Sequence, residues 1–356
     1  MSEFLLELYS EEIPPQLQIG ARTQLKQLLK KSLEEEGVNY KEFDEYSSPT
    51  RLSLSIKGLP EKIKIEEKQI KGPKVGVPEN ILQGFTKARN VSQKDLFKKE
   101  IEKGKFYFIK TAPKNISVDE LLIKILPKII ASISWKKSMK WATNSMMWGR
   151  PLRSIFAIFN KKKLSFKYLH LESTDSVIVE QDLIFKSKKI KDFKEYVAFL
   201  KSNKIILDHN ERQKIILKRF NTVSKLKNYK ENYNLRLLEE VVNIVEDPNV
   251  LLVDFNKEYL KIPQEIIIST LEKHQRYFPI FDSRDRLTNY FFVVANKKDE
   301  KKLITEGNKR VVEARLSDAQ FFWDKDRSKN LIKQIANLKT ITFYEKLGTI
   351  YDKTQR

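Results

Sequence analysis

Histidines, cysteines and paired carboxylates do much of the chemistry that proteins perform, and this sequence uses them sparingly. Its 356 residues include no cysteine and three histidines, His170, His209 and His274, far apart in the chain. Without cysteine there is no disulfide, thiolate-bound zinc, iron–sulfur cluster or thiol nucleophile. The histidine spacing suggests no metal site, so no metal ligand is assigned. The ten glycines form neither a GxxxxGK[ST] nor a GxGxxG run, and a GxSxG nucleophile elbow is absent. Tandem acids such as Glu11-Glu12 and Glu34-Glu35-Glu36 read as solvated helix-end charge rather than an acid–base pair. No catalytic residue is assigned.

Two passages stand out. In PQEIIISTLEKHQRYFPIFD, from Pro263, the residues Ile267, Leu271, His274 and Phe278 are spaced four, three and four apart, the spacing of one α-helical face. On that face His274 reads as a hydrogen-bonded core histidine. Gln275 and Arg276 fall in the last turn, where Arg276 can either satisfy terminal carbonyls or face a phosphate. In GNKRVVEARLSDAQFFWDKDR, Gly307 to Arg327, Arg315 and Asp318 are three residues apart on a helix, which predicts a structural salt bridge or a clamp on a partner.

Charge supplies the broader signal. Lys and Arg number 68 against 47 Asp and Glu, a net charge of +21. Residues 1–96 balance at 15 basic and 15 acidic, whereas residues 97–167 carry 17 basic and 4 acidic side chains. Phe106, Tyr107, Phe108, Trp135, Trp141, Trp148, Phe156 and Phe166 are interleaved there. Cations beside aromatic rings suit RNA, because phosphates need positive charge and unpaired bases stack on rings. The bland alternative is a lysine-rich composition filling solvated faces around core aromatics.

The elements that position these residues follow from periodicity. Strands are expected at Phe4–Tyr9, Leu52–Ile56, Phe106–Thr111, Leu152–Phe159 and Val250–Phe255, with a hairpin at Phe278–Phe281 and Tyr290–Val294. Helices are expected from Pro15 to about Glu36, Asn80–Ala88, Asp119–Ser134 despite Pro127, Phe193–Leu200, His209–Lys227, Leu237–Val245, Pro263–Tyr277, and from Asn296 to the end. This is an α+β, multidomain pattern of antiparallel and mixed sheets with packed helices, divided as 1–160, 161–296 and 297–356. The acidic start MSEFLLELYSEEIPP is unlike an export signal. The run Leu121–Ile133, broken by Lys124, Pro127 and Lys128, falls short of the roughly 20 apolar residues a bilayer crossing needs. A cytoplasmic protein without membrane contact is expected.

The same passages carry a resemblance. HQRYF at 274–278 and GNxRVxxARLxDAxFF at 307–322 resemble the β subunit of bacterial glycyl-tRNA synthetase. So do EEIPP at 11–15, SPTRLSLSI at 48–56, KGP at 71–73, MWGRPLRSI at 147–155, VEDPNVLL at 245–252, IPQEII at 262–267 and FYEKLGT at 343–349, all in the family's order. The match is to the amino-terminal part of that subunit, which in the family continues through a helical HD-like module and an anticodon-binding domain. The resemblance implies that residues 328–356 open the HD-like module. A glycine- and histidine-rich stretch usual in the family is replaced after His170 by LESTDSVIVEQDLIFK.

The resemblance further implies an enzyme of two α and two β chains that joins glycine to its tRNA at the expense of ATP. Adenylation, with its ATP and Mg, belongs to the α chain; the β chain binds and places tRNA-Gly. This chain is then a non-catalytic tRNA-binding and scaffolding subunit that holds no cofactor itself. The expected tRNA contacts are Arg276 with Gln275, then Arg310 and Arg315, then Arg51 and the cluster Lys136, Lys137, Lys140, Arg150 and Arg153. Arg51, after Pro49-Thr50 at a strand start, carries a structural alternative. A stand-alone RNA-binding module without an α partner is the second reading. A phosphohydrolase or editing enzyme is the third, disfavoured by the lack of clustered His and Asp.

Overall fold

The computed structural model describes residues 2–65, 69–89, 91–101, 104–110, 114–141, 147–181, 184–230 and 233–356. It divides into two units, Met1–Asn203 and Lys204–Arg356. The architecture is α+β, with small antiparallel and mixed sheets and packed helices.

In the first unit β1 (Glu3–Ser10) leads through Pro14-Pro15 into α1 (Pro15–Glu35), with proline in the first turn, where its missing N–H is not needed. Gly37 ends that helix at φ +70°, and the Val38 N–H reaches back to the Leu33 carbonyl at 2.9 Å. Strands β2 (Glu42–Ser48) and β3 (Arg51–Lys57) form a hairpin on β1. The chain then leaves this sheet through β4 (Lys62–Ile65) and makes a small lobe of β5 (Gln69–Lys74), α2 (Glu79–Arg89), β6 (Leu96–Ile101) and β7 (Gly104–Lys110). It returns through β8 (Lys114–Ser117), which pairs antiparallel with β4. Thr111, the expected end of the β7 strand, lies outside the described residues.

Next come α3 (Val118–Ser132), continuous through Pro127, and the short ribbon β9 (Met139–Lys140) and β10 (Met147–Trp148). Strand β11 (Leu152–Phe159) pairs with β1, turns at residues 160–161 into β12 (Lys162–Lys163), and takes β14 (Leu171–Thr174) as a parallel neighbour; β13 (Lys167–Tyr168) pairs with β14. The turn expected to separate two domains thus connects strands of one sheet. A hairpin of β15 (Ser176–Gln181) and β16 (Ile184–Lys189) and the helix α4 (Phe193–Ser202) complete the unit. Phe4, Leu6, Leu8, Leu52, Leu54, Ile56, Ile155 and Ala157 form one core with α1 and α3. The alternate residues Glu7, Arg51, Ser53 and Ser55 are buried as well.

The second unit sandwiches a three-stranded antiparallel sheet. Helices α5 (His209–Lys227) and α6 (Leu235–Val242) precede β17 (Asn249–Asp254), α7 (Gln264–Ser269), β18 (Phe278–Phe281) and β19 (Leu287–Ala295). Phe220, Leu238, Val241, Phe278 and Phe292 pack on one side of the sheet. Phe255, Ile267, Leu271, Phe291, Val312 and Leu316 pack on the other, the last two from α8 (Leu303–Ser328). Beyond α8 the helical expectation is corrected. After α9 (Leu331–Gln334), β20 (Thr342–Tyr344) and β21 (Gly348–Thr349) form a hairpin before α10 (Ile350–Gln355). The β-branched and aromatic run Ile341–Tyr344 favours a strand, and Gly348 supplies the φ of +88° for the turn.

Candidate nucleic-acid interface

The basic cluster is held by a pair of tryptophans. Where α3 ends, the Gln24 side chain on α1 exchanges two hydrogen bonds with the Ser134 backbone, at 3.0 Å each. That anchors Trp135, whose ring lies 4.9 Å from the buried Trp148 ring. Trp148 donates its indole N–H to Ser10 Oγ at 3.2 Å, tying the β9–β10 ribbon to β1. Gly149 permits the approach, because a Cβ there would lie 2.5 Å from the Trp135 ring. On this base Lys136, Lys137 and Lys140 are exposed, and among the described residues no carboxylate pairs with any of them. Arg150 is half-buried and donates to the Gly149 carbonyl at 2.8 Å. Trp135 and Trp141 are half-buried, so the site combines uncompensated cations with partly open rings, as binding phosphates and bases requires.

Arg153 and Arg51 are placed differently. Arg153, on β11, is shared between Glu180 at 2.5 Å and Glu11 at 3.5 Å, so its charge is already balanced. Arg51 is overturned as an RNA contact: it is 1% exposed, pairs with Glu7 through Nε–Oε2 at 3.1 Å, and also donates to Thr50 Oγ1 and the Ile178 carbonyl. Tyr196 of α4 donates to the same Glu7 oxygen at 2.5 Å and lies 2.8 Å from Ser53 Oγ. Burial, reinforced by the Glu7 charge, pushes the Tyr196 phenol well above 10.0. Sequence reasoning missed this network because its partners come from four separate segments.

In the second unit the helical spacing around His274 is corrected. Residues Thr270–Gln275 form a π turn rather than continuing α7. Its i→i+5 bonding advances the chain by a smaller angle per residue, so Leu271 is buried while His274 is exposed. Arg276 stands at φ +60° and closes this turn: Nη1 donates to the Lys273 carbonyl, and Nε to Glu240 Oε1 at 2.8 Å. Its guanidinium serves the carbonyls. Gln275 beside it is half-buried. The adjoining cleft of about 300 Å³ sets Glu240 and Glu272 beside Arg236, Lys273 and Arg276, a lining of mixed charge.

Arg310 and Arg315 are exposed on α8. Arg315 and Asp318 do not form the expected pair. The helix is fixed by other groups: Lys309 to Asp254 at 2.9 Å, Glu313 accepting from the Asn256 N–H at 3.0 Å, and Tyr277 donating to Asn308. Another functional-looking arginine is structural. Buried Arg212 donates to the carbonyls of Val242, Ile206 and Leu207. Among the described residues no three His, Asp or Glu side chains converge as a metal site, and no helix is long and apolar enough to cross a membrane.

Comparison with known proteins agrees with the ordered motifs. The family model described as glycyl-tRNA synthetase beta subunit matches residues 4–356. Proteins named glycine–tRNA ligase beta subunit from Rickettsia felis and Rickettsia bellii are 34% and 35% identical over the whole of this chain. The corresponding Rickettsia typhi protein is 35% identical. In each case the chain spans 54% of the relative's length.

Proposed function

Because the chain belongs to the glycyl-tRNA synthetase β-subunit family, we propose that it acts as a tRNA-binding and scaffolding component of glycine–tRNA ligase. The carrying observation is the group Lys136, Lys137 and Lys140, exposed beside Trp135 and Trp141 and free of carboxylate partners among the described residues. The lysines neutralise tRNA phosphates, and the partly open rings accept unpaired bases. In this reading the chain performs no bond-making step. Glycine is activated with ATP and Mg on a separate α chain in the cytoplasm, and the complex contains two chains of each kind.

The division of labour suits the chemistry of these residues. Adenylation needs groups that hold a triphosphate and its metal, whereas Lys136, Lys137 and Lys140 are exposed and have no carboxylate partner among the described residues. Binding through such lysines is strongly salt-dependent, since each phosphate neutralised releases condensed counterions. The test is co-purification of this 356-residue chain with the matching α chain, followed by charging of tRNA-Gly with and without it. A stable complex whose charging depends on this chain is expected. Specific tRNA binding without association would favour the stand-alone RNA-binding module. Release of phosphate or of a mischarged amino acid by the chain alone would favour a hydrolytic or editing enzyme.

A further inference from the structure

Helix α5 (His209–Lys227) buries one side and presents a row of cations on the other. Ile216, Phe220 and Val223 pack into the core with Leu238, Phe278 and Phe292. At about 100° per residue, Lys214, Lys218 and Lys225 fall within about 40° of one another, on the side opposite those three. All three lysines are exposed, as are Asn210 and Thr222 beside the row. From Lys214 to Lys225 the row runs about 16 Å along the helix.

Local structure accounts for only part of this charge. Asp208 caps the helix, accepting from the Asn210 N–H at 2.8 Å. Glu211, the one acid within α5, stands in the first turn, and Lys225 in the last, as the helix dipole favours. Lys214 and Lys218 lie in the body of the helix, where the dipole gives no such reason. Among the described residues no carboxylate pairs with Lys214, Lys218 or Lys225. A protein partner would be held by apolar or aromatic anchors. The row has none, since exposed Leu226 falls about 100° away from Lys225 around the helix. Unpaired bases need rings to stack on, and the row offers none. The complementary ligand is a regular line of phosphates, as along a strand of an RNA stem, where contacts go to the backbone.

We propose that the exposed face of α5 tracks the phosphates of a double-stranded RNA segment, with Lys214, Lys218 and Lys225 each neutralising one phosphate. The proposal rests on the tRNA-binding function proposed above and adds a contact in the second unit, separate in sequence from Lys136–Lys140. A backbone contact of this kind carries no base sequence; it orients a stem for the groups that read it.

The test titrates the full chain with tRNA-Gly and with a mixed-sequence RNA duplex of about 16 base pairs over a range of salt. K214Q and K218Q together should lower the log–log salt slope by about 1.5–2, and adding K225Q should bring the fall to about 2–3. The triple variant should bind both RNAs about tenfold or more weakly at low salt. All three positions are exposed, so its thermal midpoint should stay near that of the wild type. The arginine variant, K214R with K218R and K225R, should bind as the wild type does. A control that removes equal charge from exposed positions elsewhere in the unit, K329Q with K333Q and K346Q, should leave the slope unchanged. An unaltered slope in the α5 triple variant overturns the proposal. So does an equal fall in the control, which would assign the effect to net charge. Loss of the α chain with tRNA binding intact would give the face to an acidic protein surface and overturn it too. If tRNA-Gly binding depends on Lys136–Lys140 while the α5 variants are silent, only the helix face falls. Failure of the unmodified chain to bind tRNA-Gly or the α chain would remove the proposed function as well.

Discussion

Arg51 and Glu7 form a buried ion pair across the β1–β3 ladder, Nε to Oε2 at 3.1 Å, with both side chains 2% exposed. The pair is sustained by satisfaction of its remaining hydrogen-bonding capacity. Tyr196 donates to the carboxylate, while Thr50 and Ile178 accept from the guanidinium. A buried pair contributes little net stability, yet removing one member strands the other. R51M should therefore destabilise the first unit by about 3–5 kcal/mol, and adding E7L should recover a large part of that loss. Urea unfolding of the two variants measures it. A surface role for Arg51 would instead leave the unfolding midpoint unchanged and weaken tRNA binding.

Neutralising the cluster should act on binding alone. Lys136, Lys137 and Lys140 are exposed, and exposed substitutions usually shift stability by no more than about 0.5 kcal/mol. The combined K136Q, K137Q and K140Q variant should fold normally and bind tRNA-Gly more weakly. Its log–log salt slope should be lower by about 2–3. An unchanged slope in filter-binding titrations would remove these lysines from the interface.

Gly149 should tolerate no side chain. A Cβ there would lie 2.5 Å from the Trp135 ring, whose neighbour Trp148 is packed and hydrogen-bonded to Ser10. G149A should cost on the order of 1–3 kcal/mol as an overpacking change and shift the tryptophan emission as Trp135 is displaced. It should also weaken tRNA binding, since Trp135 adjoins Lys136. Wild-type emission and affinity would count against the tryptophan pair as the base of the cluster.

The Tyr196 phenol gives a pH dependence of known sign. In the unfolded chain a tyrosine loses its proton near 10.0, whereas burial and the Glu7 charge keep the folded Tyr196 protonated well above that. The folded state binds more protons in that window. The contribution is complete below about pH 10 and is lost as pH rises further, at up to about 1.4 kcal/mol per pH unit. Urea midpoints of the wild type should fall more steeply than those of Y196F between about pH 9.5 and about pH 11. Parallel curves would place the phenol in contact with water.

At Arg276 backbone and side chain pull in opposite directions. A non-glycine residue at φ +60° is strained, while the guanidinium caps the π turn and pairs with Glu240. R276A keeps the strain and loses the contacts, whereas R276G loses the contacts and relieves the strain. R276G should be more stable than R276A by about 1 kcal/mol, as thermal unfolding can show. Near-normal tRNA affinity in both variants would fit the structural role seen here.

Where local pattern governs structure, the sequence was legible. Helix α5 spans His209–Lys227 and strand β11 spans Leu152–Phe159, the bounds expected from periodicity. The family motifs are likewise a property of the linear order. Lys136, Lys137 and Lys140 could be singled out by charge because they need no distant partner to remain exposed.

The remainder was decided by groups that meet only in the folded chain. Alternating leucines and serines in RLSLSIK identify a strand, but an alternating pattern leaves the serine face to solvent unless something covers it. Tyr196 of α4 and the Ile178 carbonyl of β15 reach that face and turn Arg51 from a possible phosphate contact into a buried ion pair. Around His274 a π turn shifts the helical phase and undoes a spacing argument that assumes 3.6 residues per turn. Sequence fixes which side chains can bind or stack; whether they are free to do so depends on the segments folded against them.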